Sequence, residues 1–172
     1  ETEMEYTIYD SFTDEALKEA NLLPTTISQN EILRRRDMRD ILTFTIDPDE
    51  AKDFDDAISF KILDTGNYQI GIHIADVTHY VHEFTALDEE AYQRGTSVYC
   101  VDRVVPMLPE QLSNQLGSLR PNEDKLCMSV ILEMDQQAKV IRYKICRTVI
   151  CSNHRLTYRQ AQDILDDTAS TP

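Results

Sequence analysis

The sequence predicts an α+β fold in which a mostly antiparallel sheet is flanked by helices. Two observations carry this prediction. Several short runs alternate apolar with polar residues, which is typical of half-buried strands. Short segments such as DTG and DQQ join neighbouring runs, and they are long enough for a hairpin turn but too short for a helical crossover.

Before the first strand, the sequence predicts two helices. TDEALKEANLLP has Thr13 as its candidate N-cap. SQNEILRRRD opens with the capping pair Ser28 and Glu31 and runs into three arginines at positions 34–36. These arginines form either a solvated helix face or a contact to a phosphate backbone. We assign residues 1–37 to a helical linker that precedes the main domain.

From residue 42 onward, the sequence predicts strands. LTFTI is the first, and AISFKIL and NYQIGIHIA form a hairpin around a turn that contains Gly66. TSVYCV is a further strand, and KLCMSVILEM pairs with AKVIRYKICRTVIC in a second hairpin. The apolar residues of NYQIGIHIA share one face, which we expect to be the core: Tyr68, Ile70, Ile72 and Ile74.

Three short helices are predicted among and after these strands. TALDEEAYQRG has Thr85 as its N-cap and Gly95 at its end. LPEQLSNQLGS places Pro109 near its first turn, and the segment HRLTYRQAQDILDD is capped by Thr157.

The composition excludes several classes of protein. No apolar run approaches the roughly 20 residues that span a bilayer, so we expect no membrane partner. Seventeen basic and 31 acidic residues give a net charge of −14, which argues against an exposed phosphate-binding surface unless cations neutralise the acid. The four cysteines form no metal-binding spacing, so we expect reduced thiols and a cytoplasmic protein. Because the first residue is glutamate, we expect a piece of a longer protein.

The most unusual stretch is DPDEAKDFDD, residues 47–56, which holds six carboxylates in ten residues between two apolar runs. A solvated loop is the usual fate of such a run. A calcium loop of the EF-hand type fails because glycine is absent from its sixth position. A haloacid-dehalogenase-type phosphatase remains an alternative, with Asp47 as nucleophile and Asp49 as acid.

A site for Mg²⁺ in phosphodiester chemistry is the explanation that also accounts for the negative charge. Mg²⁺ takes hard oxygen ligands, and two ions about 3.5–4 Å apart can clamp the attacking and leaving oxygens. Asp47 at a strand end and Asp53, Asp55 and Asp56 on the following bend supply such ligands. Their mutual repulsion is acceptable only when cations are present.

At this point the sequence resembles the catalytic domain of the ribonuclease II/ribonuclease R exoribonucleases, with ribonuclease R as the closer branch. The resemblance runs in order from about residue 38 to about residue 165. Four blocks carry it: FTIDPDEAKDFDDAISF, IGIHIADVTHYV, LDEEAYQRGTSVYCVDRVVPMLPEQLSNQLGSLRP and LCMSVILEM. It implies a processive, hydrolytic 3′→5′ exoribonuclease that releases nucleoside 5′-monophosphates and uses Mg²⁺, for which Mn²⁺ can substitute.

The family's D-x5-D-x-D-D pattern falls on Asp47, Asp53, Asp55 and Asp56. The resemblance implies that Asp47 and Asp56 are metal ligands and that Asp53 supports the two-metal cluster. It makes Asp55 the aspartate most critical for turnover, within the same metal site. Asp49 lies outside the pattern and, like its neighbour Glu50, is assigned to solvent.

Two tyrosines are implied to bind RNA. Tyr99 matches the tyrosine that stacks on a base near the cleaved 3′ end, and a core tyrosine is the alternative. Tyr158 matches one near the terminal sugars. Asp76 ends a strand, where a structural role and a functional role are equally open. The histidines fit no metal-ligand spacing, so we expect surface or core positions for His73, His79, His82 and His154.

The resemblance covers only the N-terminal half of that catalytic domain, which we place at residues 38–172. The implied partners are the 3′ end of single-stranded RNA, the missing second half with its arginine-rich motif, and flanking OB-type domains. We expect this piece alone to be inactive. The rival from another class is a non-catalytic RNA-binding or scaffold piece of the same fold, which should have lost one of the four aspartates.

Overall fold

The computed structural model describes residues 11–166, and these residues divide into two compact units. Unit 1 contains residues 11–25 and Val77–Leu116. Unit 2 contains Thr26–Asp76 and residues 117–166. The helix predicted after Thr13 is therefore part of a compact unit, and the boundary after residue 37 stays a prediction.

The helices and strands follow the predicted order. Single helical turns also occur at Val77–His79 and Leu112–Leu116. In chain order, the elements are α1 (Asp14–Leu22), α2 (Gln29–Leu33), β1 (Arg36–Asp37), β2 (Thr43–Asp47), β3 (Asp56–Ile62), β4 (Tyr68–Ala75), α3 (Ala86–Arg94), β5 (Val98–Tyr99), β6 (Val104–Val105), β7 (Asp124–Met134), β8 (Val140–Cys151), β9 (His154–Thr157) and α4 (Tyr158–Leu165).

Unit 1 is built on α1 and α3, whose starts confirm the predicted caps. The hydroxyl of Thr13 accepts from a backbone N–H of α1, and the hydroxyl of Thr85 does the same for α3. Helix α3 ends at Gly95, whose φ of 73° suits glycine. The two helices share a core that contains Ala16, Ala20, Tyr80, Leu87, Leu108 and Leu112. The strand predicted at TSVYCV is only the short β5, paired with β6.

Unit 2 is built on one seven-stranded sheet with the strand order β1-β8-β7-β4-β3-β2-β9. Four neighbouring pairs are antiparallel, and the two outermost pairs, β1 with β8 and β2 with β9, are parallel. The predicted mostly antiparallel sheet and both of its hairpins are confirmed. Strand β9 and its parallel pairing were not predicted.

The predicted core face of β4 is wrong. Ile72 and Ile74 are 40% and 49% exposed, whereas the alternate residues Gly71, His73 and Ala75 are buried. The register places further exposed apolar residues on the same face as the two isoleucines, namely Met128, Tyr143 and Ile145. Alternation shows that the two faces of a strand differ, but it does not show which one the chain covers.

The buried face is held together by a polar network around His73. Its imidazole is fully buried and is hydrogen-bonded to Ser129 Oγ at 2.7 Å and Ser59 Oγ at 2.8 Å, while Ser129 Oγ lies 2.6 Å from Thr148 Oγ1. A Cβ at Gly71 would lie 2.3 Å from Ser59 Oγ and 2.5 Å from His73 Nε2, so only glycine fits beside this network.

This network predicts a pH dependence of stability. Burial lowers the pKa of His73 from 6.5 to about 4, so the unfolded chain binds more protons between these values. The corresponding stability, up to about 3 kcal/mol, is fully present above pH 6.5 and is lost as the pH falls toward 4. We expect urea unfolding of His73→Gln to lack this contribution to the pH slope. The exposed control His154→Gln should keep it, and equal slopes in all three proteins would contradict the expectation.

Both predictions for the arginines at positions 34–36 are wrong for Arg35. Helix α2 is capped by Ser28, as expected, but ends at Leu33, before the arginines. The side chain of Arg35 is fully buried, with Nε 2.7 Å from Glu31 Oε1 and a terminal nitrogen 2.7 Å from Asp76 Oδ2. It is a structural cation, neither solvated nor available to a phosphate.

Candidate functional site

The acidic stretch lies at one end of the strands of unit 2, where β2 ends and β3 begins. Asp47 ends β2, Asp56 begins β3, and residues 48–55 form the loop between these strands, called here the acidic loop. Strand β9 runs parallel to β2 with Thr157 opposite Asp47. The start of α4 at Tyr158 therefore lies at the same end of the sheet as the acidic loop. The four predicted metal ligands and one predicted RNA-binding residue, Tyr158, therefore lie at the same end of the sheet in unit 2.

The second half of the acidic loop is held through its backbone. Phe54 N–H donates to Ser118 Oγ at 3.0 Å, and that hydroxyl donates to the carbonyl of Lys52 at 3.0 Å. Leu119 N–H donates to the carbonyl of Phe54 at 2.8 Å, and Ala75 N–H donates to the carbonyl of Asp55 at 2.9 Å. Sequence reasoning missed Ser118, because its only signal is membership of the block that ends in LGSLRP.

The electrostatics of the cluster disfavour its charged form. Burial raises the pKa of Asp47, the nearby Thr45 hydroxyl and the Arg155 charge lower it, and the carboxylates of Asp56 and Asp53 raise it further. Burial also raises the pKa of Asp55, followed by the charges of Asp53, Asp56 and Asp47. At neutral pH the cluster therefore opposes folding unless a cation compensates its charge.

The donor set fits a hard divalent cation in its chemistry. Asp47 is 7% exposed, and its Oδ2 atom is buried without a hydrogen-bond partner. An unsatisfied buried carboxylate oxygen is costly, and a cation is a natural partner for it. Within residues 11–166, however, no three carboxylate, imidazole or thiolate groups lie close enough to hold one ion together. The two-metal arrangement therefore stays a prediction.

Arg155 contacts the first half of the acidic loop, and sequence reasoning missed it. Its guanidinium donates to the carbonyl of Pro48 and, at 3.1 Å, to the carbonyl of Asp49. The guanidinium carbon lies 5.5 Å from the ring centroid of Phe54, near the other end of the loop. The available signal was its place three residues before Tyr158 in HRLTY.

The two predicted RNA-binding tyrosines lie in different units. Tyr158, the first residue of α4 in unit 2, is 64% exposed. Tyr99, in β5 of unit 1, is 70% exposed, so the alternative of a core tyrosine is wrong. An exposed aromatic ring can stack on a base, and RNA binding by either tyrosine stays a prediction.

The remaining candidates have structural surroundings. Asp76 is buried and forms the ion pair with Arg35, and Arg147 Nε approaches it at 3.9 Å. His73 belongs to the buried network, and the part of the chain that the structure describes holds no histidine metal site. These observations favour the structural role for Asp76.

Comparison with known proteins assigns a family to most of the chain. The RNB domain family matches residues 35–172. Ribonuclease R of Thermotoga maritima is 48% identical over 159 residues, which are 92% of this chain and 22% of that protein. The structure of Mycoplasma genitalium RNase R in complex with ribose methylated single-stranded RNA superimposes with a TM-score of 0.90 and 33% identity, covering 98% of this chain and 26% of that one.

A more distant neighbour shares the fold alone. Yeast Ssd1, described as a pseudonuclease, has a TM-score of 0.78 and 21% identity over 88% of this chain and 19% of its own. The chain spans about a fifth to a quarter of the length of the curated relatives it matches. Within residues 11–166, no helix is long and apolar enough to cross a membrane.

Proposed function

Because this chain belongs to the RNB-domain family of exoribonucleases, we propose that it supplies the acidic centre of a Mg²⁺-dependent, hydrolytic 3′→5′ exoribonuclease that releases nucleoside 5′-monophosphates. One observation carries the proposal. The four aspartates of the D-x5-D-x-D-D pattern, from Asp47 to Asp56, frame one loop at one end of the sheet, and Asp47 holds a buried, unpartnered oxygen there. Mn²⁺ can replace Mg²⁺, because both accept carboxylate oxygens.

Each of the candidate residues has its own proposed role in the reaction. Asp47 and Asp56 would hold the metal ions, and Asp53 would support the cluster. When bound, the ions would polarise the phosphate and activate water. Asp55 belongs to the same metal site and would orient either the attacking water or the second metal ion. The exposed ring of Tyr99 would stack on a base near the cleaved 3′ end, which suits an enzyme that accepts every base. The exposed ring of Tyr158 would contact a terminal sugar.

The substrate is the 3′ end of single-stranded RNA, and further segments of the longer protein complete the site. A chain with a net charge of −14 repels RNA at long range, so the cationic phosphate clamp has to come from another segment. We assign the clamp to the second half of the catalytic domain and the RNA channel to OB-type domains. The exposed apolar sheet face with Ile72, Ile74 and Ile145 supports such a covering segment.

We also place the protein in the cytoplasm, where reduced thiols persist. All four cysteines are unpaired in the structure. Burial raises the pKa of Cys127 to about 12, so this thiol stays protonated and unreactive.

Two rivals predict different chemistry. A scaffold that keeps only the fold would bind RNA without hydrolysing it, and the retention of all four aspartates favours the enzyme.

A haloacid-dehalogenase-type phosphatase needs its nucleophile on a parallel sheet. Asp47 instead ends a strand with one antiparallel neighbour, β3, and one parallel neighbour, β9. That rival would hydrolyse phosphomonoesters through a covalent aspartyl phosphate.

The test uses 5′-labelled single-stranded RNA with Mg²⁺, resolved by length. We expect the longer protein to shorten the RNA from its 3′ end and to release nucleoside 5′-monophosphates, identified by chromatography. Residues 1–172 alone should show negligible processive degradation, because positioning of the scissile phosphate contributes several kcal/mol to catalysis.

Each alternative result has a definite meaning. RNA binding without hydrolysis by the longer protein would support the scaffold rival, and phosphate release from a phosphomonoester would support the phosphatase. A ladder produced by residues 1–172 alone would contradict the expectation that this piece is incomplete.

A further inference from the structure

Arg155 is placed to control the shape of the acidic loop. It lies on β9 opposite Thr45, two residues before Thr157, which is the register partner of Asp47. Its guanidinium contacts the two carbonyls that directly follow Asp47 and also reaches the ring of Phe54, next to Asp55. One side chain therefore contacts the loop next to Asp47 and again at Phe54, which lies between Asp53 and Asp55.

The contact is made to the backbone and leaves the carboxylates unpaired. No oxygen of the four aspartates forms a salt bridge with Arg155, although its charge is near enough to lower the pKa of Asp47. An arginine that paired with these carboxylates would compete with a metal ion. An arginine that holds the carbonyls fixes the path of the chain and leaves every carboxylate oxygen available.

Resting on the proposed function, we propose that Arg155 is a positioning residue for the metal centre. Its terminal nitrogen Nη2 ties the start of the acidic loop to β9 by donating to both carbonyls, and thereby sets where Asp47 and Asp53 present their oxygens. A lysine ammonium keeps one such donor but lacks the planar guanidinium whose carbon also lies 5.5 Å from the ring centroid of Phe54. The role is specific to Arg155 because Ser118 holds only the second half of the loop.

This proposal and simple electrostatics predict opposite results. If Arg155 acted only through its charge, its removal from an acidic cluster would strengthen the binding of a cation. If it positions the loop, its removal lets the carboxylates spread apart, and cation binding weakens. Loss of an outer-shell partner typically costs about 10–100-fold in metal affinity.

The experiment measures Mn²⁺ binding to the longer protein, by the paramagnetic resonance signal of free Mn²⁺ in the absence of RNA. We expect Arg155→Gln to weaken Mn²⁺ binding at least about tenfold, and Arg155→Lys to fall between it and the unsubstituted protein. The control is Arg159→Gln, which removes the same charge from an exposed position on α4 and should change the affinity less than about twofold.

The possible outcomes separate this proposal from the proposed function. Tighter or unchanged Mn²⁺ binding by Arg155→Gln overturns the positioning role and leaves the nuclease centre intact. An unsubstituted protein that binds no Mn²⁺ overturns both. If Arg155→Gln does not fold by circular dichroism, Arg155→Lys decides the question, since weaker binding at unchanged charge can come only from geometry, and equal binding contradicts the proposal.

Discussion

The Asp55→Asn variant of the longer protein is expected to bind single-stranded RNA at least as tightly as the unsubstituted protein, while its turnover falls by about a thousandfold. The substitution keeps the size of the side chain and removes one negative charge that repels the phosphates. It also removes the carboxylate for which we propose a role in orienting the attacking water or the second metal ion. A loss of about 4 kcal/mol of transition-state stabilisation corresponds to this factor.

Asp49→Asn is the matched control, because it makes the same chemical change in the same loop at an exposed position outside the metal pattern. It should leave turnover within about threefold, whereas the phosphatase rival requires Asp49 as its acid. RNA binding is measured by fluorescence anisotropy and turnover by release of mononucleotides. If Asp55→Asn loses binding and turnover in step, Asp55 is a structural residue.

Substitution of Arg35 by methionine is expected to destabilise residues 1–172 by about 3–5 kcal/mol, since it leaves a buried charge without its partner. Asp76 would lose the guanidinium that lies 2.7 Å from its Oδ2 atom, and the carbonyl of Cys127 would lose a donor at 3.4 Å. The measurement is the free energy of unfolding in urea.

Two controls show whether the buried ion pair is responsible. Arg34→Met changes the exposed neighbour of Arg35 and should cost less than about 0.5 kcal/mol. Adding Asp76→Asn to Arg35→Met should recover part of the loss, because the stranded charge disappears. Equal costs for Arg34→Met and Arg35→Met would contradict the assignment.

Features that depend on neighbours in the chain could be predicted from the sequence. The helix caps at Thr13, Ser28, Thr85 and Thr157 were predicted correctly, because a cap needs only a side chain and an N–H a few residues away. Both long hairpins were predicted for the same reason, since each joins runs separated by a few residues.

Features that depend on distant segments were missed. The buried face of β4 is lined by glycine, histidine and alanine because Ser59 and Ser129 come from other strands to satisfy the imidazole, and Thr148 in turn bonds Ser129. Arg35 is buried because Asp76 lies opposite it, and a run of three arginines contains no sign of this pairing.

The candidate site likewise has some residues that are close in sequence, which could be predicted, and others from distant segments, which could not. The four aspartates are close in sequence, so a carboxylate cluster could be predicted from DPDEAKDFDD. Arg155 and Ser118 approach the acidic loop from segments more than 60 residues away, with separations of 107 residues to Pro48 and 64 to Phe54. Only the three-dimensional fold brings them to the loop.

Anomalous diffraction from crystals of the longer protein grown with Mn²⁺ shows whether the aspartates from Asp47 to Asp56 form a divalent-metal centre. We expect an anomalous peak in contact with the carboxylate of Asp47, and its loss in crystals of an Asp47→Asn variant. The absence of a peak at this cluster, at a Mn²⁺ concentration that supports RNA degradation in solution, would contradict this expectation.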